Sequence, residues 1–207
     1  MPPASDDAVV HRTELALYLY PTVSRDAAAY ALYEDPATAL PHAAELHALP
    51  RAEHDARRAR QRAELASGES AFLDVVDPRT GELVGLSGFH AFAPAAGEAE
   101  WGCIIAAAHR RRGLADDALR VCAEVVATGA HAARGVFRLA ARTREANAPM
   151  RALLAQRGFE LASRDADGAG GAWLRYSASA AAVLQTYSGA ARADPSAPSA
   201  HIGGDCA

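Results

Sequence analysis

One stretch places the tightest limit on how this 207-residue chain can fold. In it, a short apolar run leads through a basic turn into a helix-like segment. Residues Trp101 to Ala106 are long enough for a buried strand but too short for a helix. Three arginines and Gly113 follow, and apolar residues then recur at helical spacing from Leu114 to Val126. The N–H groups and the dipole at a helix start favour an anion, and a glycine lets the backbone approach it closely. This stretch therefore predicts an anion site, with a pyrophosphate as the favoured ligand group.

Strand-like and helix-like segments alternate along the rest of the chain. The predicted strands cover 15–20, 72–76, 83–87, 101–106, 136–141, 159–163 and 172–177. Between the second and third of these lies Asp77-Pro-Arg-Thr-Gly81, whose turn chemistry predicts a hairpin. Gly85 and Gly88 inside its second strand indicate a bulge or a close backbone approach. With helices after the first strand, after Gly113 and after Asn147, the order predicts a mixed α/β fold around one core.

The two ends of the chain have little to bury. Residues 1–12 start with Pro, Ala, Ser and Asp, and we predict a disordered N-terminus. Residues 13–177 form the predicted domain. Residues 178–207 are interpreted as a C-terminal extension, mostly disordered, with a helical turn from Ala180 to Tyr187.

The segment from Arg51 to Arg62 is strongly charged and has a helical pattern. One interpretation is a solvated helix face with Glu/Arg pairs. The other is one lip of a cleft that meets an acidic partner. The sequence alone does not choose between them.

Charge and composition exclude several classes of protein. A net charge of −4 and a pI near 6.0 argue against nucleic-acid binding. No apolar run approaches the roughly 20 residues of a membrane span, and residues 1–10 lack the apolar run of a signal peptide. The three cysteines have no metal-like spacing and suit a reducing cytoplasm better than a disulfide scaffold. The absence of lysine and the abundance of alanine are typical of a GC-rich bacterial genome.

Two motifs, the run Arg110-Arg-Arg-Gly-Leu-Ala115 and the block from Asn147 to Phe159, resemble those of the GNAT N-acyltransferase superfamily. The run Arg110-Arg-Arg-Gly-Leu-Ala115 is similar to its (Gln/Arg)-x-x-Gly-x-(Gly/Ala) signature, and it lies between a predicted strand and a predicted helix. The block from Asn147 to Phe159 resembles its Asn…Gly-Phe helix. Glu100-x-Gly102 and Asp117-Ala118 are similar to the RimJ/RimL-type branch. The resemblance covers about Thr13 to Ser177 and implies a central, mostly antiparallel twisted sheet with flanking helices and a splayed strand pair that holds acyl-CoA.

The resemblance also implies a co-substrate, acetyl-CoA or another short acyl-CoA, and no metal. The residues that would bind its pyrophosphate, through turn N–H groups or added charge, are Arg110, Arg111, Arg112, Gly113, Leu114 and Ala115. Backbone groups of Cys103 and Ile105 would pair with the pantetheine arm as an added strand does. Asn147 would bind the pantetheine or the thioester end while it caps a helix. The Cys103 side chain is expected to be a small core residue, not a nucleophile.

The implied reaction is direct transfer of the acyl group to a primary amine of a small metabolite or of a protein N-terminus. Glu100 is the preferred general base, acting directly or through a water, and the alternative is a solvated glutamate at a strand end. His90 follows the Gly88-Phe89 strand end and is the second catalytic candidate. His109 belongs with the phosphate turn.

This chain departs from the pattern of the branch at two positions. Met150 and Leu154 stand where relatives often have the Ser and Tyr that donate to the departing sulfur. Solvent or Tyr176 would then protonate the thiolate. The departure leaves two other functions open: a module that binds acyl-CoA without catalysis, and a natural-product-tailoring acyltransferase with a different donor. The acceptor, the acyl chain length and the formation of a homodimer stay undecided.

Overall fold

Eight strands of this chain form one sheet. A computed structural model describes residues 9–39, 44–69, 71–93, 97–128, 135–166 and 171–190. The strands are β1 (Val9–Arg12), β2 (Leu17–Leu19), β3 (Ala71–Val76), β4 (Leu83–Ala93), β5 (Glu98–Ile105), β6 (Arg138–Arg144), β7 (Glu160–Ala166) and β8 (Ala172–Ser179). Their order across the sheet is β1-β2-β3-β4-β5-β6-β8-β7. Among these strands β5 and β6 are parallel neighbours and the other neighbours are antiparallel, which confirms the mixed α/β, mostly antiparallel fold.

Helices cover both faces of the sheet. They are α1 (Asp26–Glu34), α2 (Pro36–Ala39), α3 (Ala44–His47), α4 (Arg51–Ser67), α5 (Leu114–Thr128), α6 (Ala148–Gln156) and α7 (Ala180–Ala190). None of the helices in the described ranges is both long and apolar enough to cross a bilayer. Because side chains alternate along a strand, neighbouring residues of β5 enter different cores. Trp101 packs with Leu119 of α5 and Val183 of α7, whereas Ile104 packs with Leu32 of α1.

A buried cluster of ion pairs fixes α4 to the sheet. The Arg58 side chain is 1% exposed, and it donates from Nε to Asp26 and from Nη2 to Asp74, both at 2.9 Å. Asp74, on β3, also accepts from Arg25 Nε at 2.9 Å, and Asp26 accepts from Arg62 at 2.8 Å. The interpretation of this helix as a solvated charged face is therefore wrong for its inner side. The inner face of α4 is polar in sequence, yet it is buried. Burial is tolerated because the two carboxylates that it meets, Asp26 and Asp74, are both paired with arginines.

Ordered structure extends beyond the predicted domain at both ends. Val9–Arg12 was predicted to be disordered but forms β1, which pairs with β2 from Val9↔Leu19 to Arg12↔Leu17. The predicted extension begins within β8 and continues as the eleven-residue helix α7, whose Val183 is fully buried. Strand pairing orders the first of these segments, and burial of apolar side chains such as Val183 orders the second. The composition of the chain ends does not indicate either contact. Residues 1–8 and 191–207 lie outside the described residues.

Gly88 confirms the close backbone approach expected in the hairpin. Its φ is +148°, and a Cβ at this position would collide with the carbonyl oxygen of Ala71 on β3. At Gly85 a Cβ would lie 2.6 Å from the carbonyl oxygen of Ile104 on β5. The register of β4 against β5 shifts between Phe89 and Ala91, which gives the expected irregularity. The two glycines allow β4 to pack tightly between its neighbours, beside the strand that carries the site.

Candidate active site

The parallel strands β5 and β6 pair only over their first halves. Their register runs from Glu98↔Arg138 to Trp101↔Ala141, and beyond that pair the strands diverge. A one-turn 3-10 helix and a basic turn connect β5 to α5, and a short turn connects β6 to α6. The N-termini of both helices consequently border the gap, where their dipoles favour negative charge.

The edge of β5 that faces this gap presents backbone groups of Cys103 and Ile105. The Ala106 N–H donates to the Val84 carbonyl on the other side at 2.9 Å. Inter-strand bonds alternate along an antiparallel pair, so the N–H and C=O groups of Cys103 and Ile105 point away from β4 and into the gap. The Ile105 carbonyl accepts from Arg110 Nε at 3.0 Å. The other three groups are oriented to pair with an extended ligand.

Two cavities meet in the gap. The turn cavity has a volume of about 780 Å³ and is lined by the basic turn and the first turns of α5 and α6. The Glu100 cleft has a volume of about 570 Å³ and lies on the α1/α4 side of β5 and β6. Both are lined by Cys103, Asn147 and Met150, which form the junction between them. No group of three or more potential metal-binding side chains occurs within the described ranges.

The basic turn has a left-handed backbone. Arg111 has a φ of +60° and Gly113 a φ of +81°, after which α5 begins at Leu114. The Arg110 guanidinium donates to the carbonyls of Ala37 and Thr38 at 3.0 and 2.8 Å, and this anchors the turn to α2. Of the three arginines, Arg110 and Arg111 line the turn cavity. Arg112 instead contacts His109 at 2.8 Å and Asp77 at 3.4 Å.

Two aspartates in the first turn of α5 have their own cationic partners. Asp116 accepts from Arg157 at 2.7 and 2.6 Å and from the Tyr187 hydroxyl at 2.7 Å. Asp117 accepts from Arg120 at 3.0 Å. Burial, together with the neighbouring Asp116, raises the pKa of Tyr187. These partners offset the negative charge that would otherwise oppose an anion at the helix start.

Asn147 is the N-cap of α6. Its Oδ1 accepts from the Met150 N–H at 3.3 Å, and its Nδ2 donates to the Thr143 hydroxyl at 3.0 Å. Pro149 follows within the first turn, where its missing N–H costs nothing. The cap therefore holds the Asn147 side chain at the junction of the two cavities.

Glu100 lies just before the point at which the strands separate. Its backbone is paired with Ala140, one position ahead of the last pair, and its half-buried side chain lines the Glu100 cleft. His90 lies at the β4 irregularity, between the pairs Phe89↔Trp101 and Ala91↔Glu100. The His90 side chain lies outside the described residues. The backbone thus brings the two catalytic candidates to the same place in the sheet.

Three further candidates lie in or beside the core. Burial, with Cys122 nearby, raises the pKa of the Cys103 thiol to about 12, which fits a core thiol and not a nucleophile. Leu154 is fully buried, and Tyr176 is 8% exposed within the same core cluster. Neither Leu154 nor Tyr176 is among the residues that line the two cavities.

Several cleft residues were missed by sequence reasoning. Arg142 and Arg144 of β6 both line the Glu100 cleft, as does Trp173 of β8. The guanidinium carbons of Arg142 and Arg144 lie 5.4 and 4.1 Å, respectively, from the centroid of the Trp173 ring. Their spacing of two in a strand places them on one face, and this signal could have identified them. Arg57 lines the opposite side of the cleft. No feature of the sequence distinguishes it from the other arginines of α4.

Comparison with known proteins agrees with this geometry. The family model for the acetyltransferase (GNAT) domain matches residues 16–160. The ribosomal L7/L12 α-N-protein acetyltransferase RimL, solved in complex with coenzyme A, is 13% identical with a TM-score of 0.72, covering 83% of this chain and 98% of that one. The microcin C7 self-immunity acetyltransferase MccE, solved with acetyl-CoA and AMP, is 15% identical with a TM-score of 0.65, covering 81% and 93%. The ribosomal-protein-S5-alanine acetyltransferase from Vibrio fischeri is 14% identical with a TM-score of 0.68, covering 83% and 97%. No curated protein matches the sequence significantly.

Proposed function

The chain belongs to the GNAT acetyltransferase family, and from that premise we propose that it transfers an acetyl or other short acyl group from acyl-CoA to a primary amine. The observation that carries the proposal is the divergence of β5 and β6 after Trp101↔Ala141, with a turn cavity on one side and the Glu100 cleft on the other. This arrangement offers one continuous path through the gap, from an anion site to a carboxylate.

The turn cavity has the chemistry to hold the pyrophosphate of acyl-CoA. The first N–H groups of α5 have no acceptor within the helix, and the aspartates beside them are paired with Arg157 and Arg120. Arg111 adds charge at the cavity wall. Arg110 contributes mainly by fixing the shape of the turn, because its guanidinium is bonded to backbone carbonyls. The pantetheine arm would then run along the Cys103–Ile105 edge to the junction at Asn147.

Glu100 is the proposed general base. The amine nitrogen attacks the thioester carbonyl, a C–N bond forms, the C–S bond breaks, and coenzyme A leaves as a thiolate. The proton lost by the amine goes to Glu100, directly or through a water. An N–H of the β5 edge polarises the carbonyl. Solvent then protonates the thiolate, because Tyr176 lines neither cavity and Cys103, with a pKa of about 12, is a weaker acid than an ordinary thiol.

A thiol-release assay with acetyl-CoA and a panel of primary amines tests the proposed function. We expect amine-dependent release of coenzyme A and a product heavier by one acetyl group, detected by mass spectrometry. Tight binding of acetyl-CoA without release, for every amine and at every pH, would instead support the non-catalytic module.

Replacing Gly113 with valine should abolish binding of acetyl-CoA in calorimetry. The residue has a φ of +81°, a conformation that β-branched residues avoid, and a Cβ here would also lie 3.3 Å from Leu15 Cδ1. The left-handed backbone alone costs roughly 1–2 kcal/mol for a residue with a Cβ. The N–H groups that would face the pyrophosphate move with the turn.

Gly81→Val is the matched control for this change. Gly81 has a φ of +72° in the β3–β4 hairpin, with nothing within 4 Å of the added Cβ. Both variants should lose similar stability, but only Gly113→Val should lose the ligand. A folded Gly113→Val protein that binds acetyl-CoA within about twofold of the native affinity, less than one hydrogen bond is worth, would remove the turn from the cofactor site.

A further inference from the structure

The Glu100 cleft is cationic in a protein whose net charge is −4. Among the side chains that the structure describes, three arginines line it, Arg57, Arg142 and Arg144, against one carboxylate, that of Glu100. The pyrophosphate of acyl-CoA is assigned to the turn cavity, on the far side of the junction. The positive charge of the cleft therefore belongs with a different ligand group.

Arg57 is the member of this set with an unsatisfied buried donor. Its Nε is buried and has no hydrogen-bond partner, and the side chain makes no ion pair with any residue in the described ranges. Its neighbour on α4, Arg58, is paired with both Asp26 and Asp74. A buried donor without a partner is costly unless a ligand supplies one. The Arg57 side chain lines the cleft and is partly exposed there, so an anion bound in the cleft would reach its guanidinium group and offset this cost.

The opposite wall of the cleft is built on an aromatic platform. Arg142 and Arg144 alternate along β6, so both stand on the sheet face that carries Glu100, and both guanidinium groups lie over Trp173. The stacking holds these planar groups in place, and their positive charge adds to the field that favours an anion in the cleft. The remaining wall is formed by Tyr33, Leu46 and Phe72. An occupant with an apolar body and an anionic group fits this lining.

We propose that the acceptor is a small amine that carries a carboxylate, and that Arg57 recognises this carboxylate. This proposal rests on the acyltransferase function, since it assigns the substrate class of the same site. The carboxylate pairs with Arg57 across the cleft from the Trp173 platform, while the amino group faces Glu100 and the junction. Arg57 is thus a specificity-determining residue and takes no part in proton transfer. A carboxylate could also enter the cleft as the far end of a dicarboxylic acyl group on the donor, and the experiment separates these two sources.

The test compares α-amino acids with their matched amides, and kcat/KM is expressed per unprotonated amine, because the carboxylate also raises the pKa of the amino group. With acetyl-CoA as donor, we expect kcat/KM for the acid to exceed that for the amide at least roughly tenfold, the value of one charged hydrogen bond. Arg57→Gln should remove most of this preference and Arg57→Lys should restore part of it, with the KM for acetyl-CoA unchanged. Arg60→Gln is the control, because Arg60 lies on the same helix but is 65% exposed and pairs with Glu64. It should leave the preference intact.

A second arm replaces acetyl-CoA with succinyl-CoA and uses amines without a carboxylate. If Arg57 governed a preference for succinyl-CoA in this arm, the carboxylate would belong to the donor and the acceptor proposal would be overturned. If amides were acylated as well as acids, the proposal would also be wrong, while the acyltransferase function would stand. If no amine supported release of coenzyme A with either donor, both the function and this proposal would fail.

Discussion

A Glu100→Gln variant should turn over about 10²–10⁴ times more slowly than the native enzyme at neutral pH, the usual contribution of a positioned general base. Glutamine keeps the size and the hydrogen-bonding shape of the side chain but cannot take the amine proton. Glu100 lines the cleft beside the last β5–β6 pairs and is remote from the turn, so the dissociation constant of acetyl-CoA should not change. The fall of kcat at low pH, where the base is protonated, should disappear in the variant.

Glu98→Gln provides the control on the same strand and the same sheet face. Glu98 pairs with Arg175 and is not among the residues that line the cleft. Its variant should stay within about threefold of the native rate, because the lost interaction is a partly exposed ion pair. An unchanged rate and an unchanged pH profile in Glu100→Gln would show that another group accepts the proton, and His90 would be the next candidate.

Asp74→Ala should lower the free energy of unfolding by about 3–5 kcal/mol, measured by denaturant titration, because Arg58 Nη2 and Arg25 Nε both lose their buried carboxylate acceptor. Asp74 is fully buried and accepts from both Arg25 and Arg58. Arg58 is itself 1% exposed, so its guanidinium cannot turn to solvent without moving α4. Since α4 also carries Arg57, the cleft should lose its shape along with the stability.

Asp55→Ala is the matched control for this prediction. Asp55 lies on α4 and pairs with Arg51 at 2.8 Å, but both side chains are nearly half exposed. Loss of such a pair costs roughly 0.3–0.5 kcal/mol. Equal losses in the two variants would mean that the buried cluster contributes no more than a surface pair.

The elements that carry the site were the ones that sequence could predict. The strand, basic turn and helix from Trp101 to Leu119 have strong local signals in the sequence: an apolar run, a glycine after three arginines and a 3.6-residue apolar period. α6 was equally clear, because Asn147 caps it and Arg157-Gly158 ends it. These signals act within a few residues, so a single sequence carries them in full.

The features that escaped prediction depend on residues far apart in the chain. Arg58 looked like a surface residue because its partners, Asp26 and Asp74, lie 32 and 16 positions away. Val9–Arg12 looked disordered because its ordering comes from pairing with β2. The cationic cleft combines α4 with β6 and β8, and no local pattern indicates that Arg57 and Trp173 line the same cavity.

The divergence of β5 and β6 has a consequence for the lifetime of the protein. The ligand-free sheet is interrupted along the Cys103–Ile105 edge, and a bound pantetheine arm would complete it from outside the chain. Any ligand that binds only the native state stabilises it, by about 2.7 kcal/mol at a hundred times its dissociation constant. The melting temperature should therefore rise with acyl-CoA concentration. Cofactor supply and resistance to proteolysis would then be linked, so that a cell depleted of acyl-CoA would also degrade the enzyme faster.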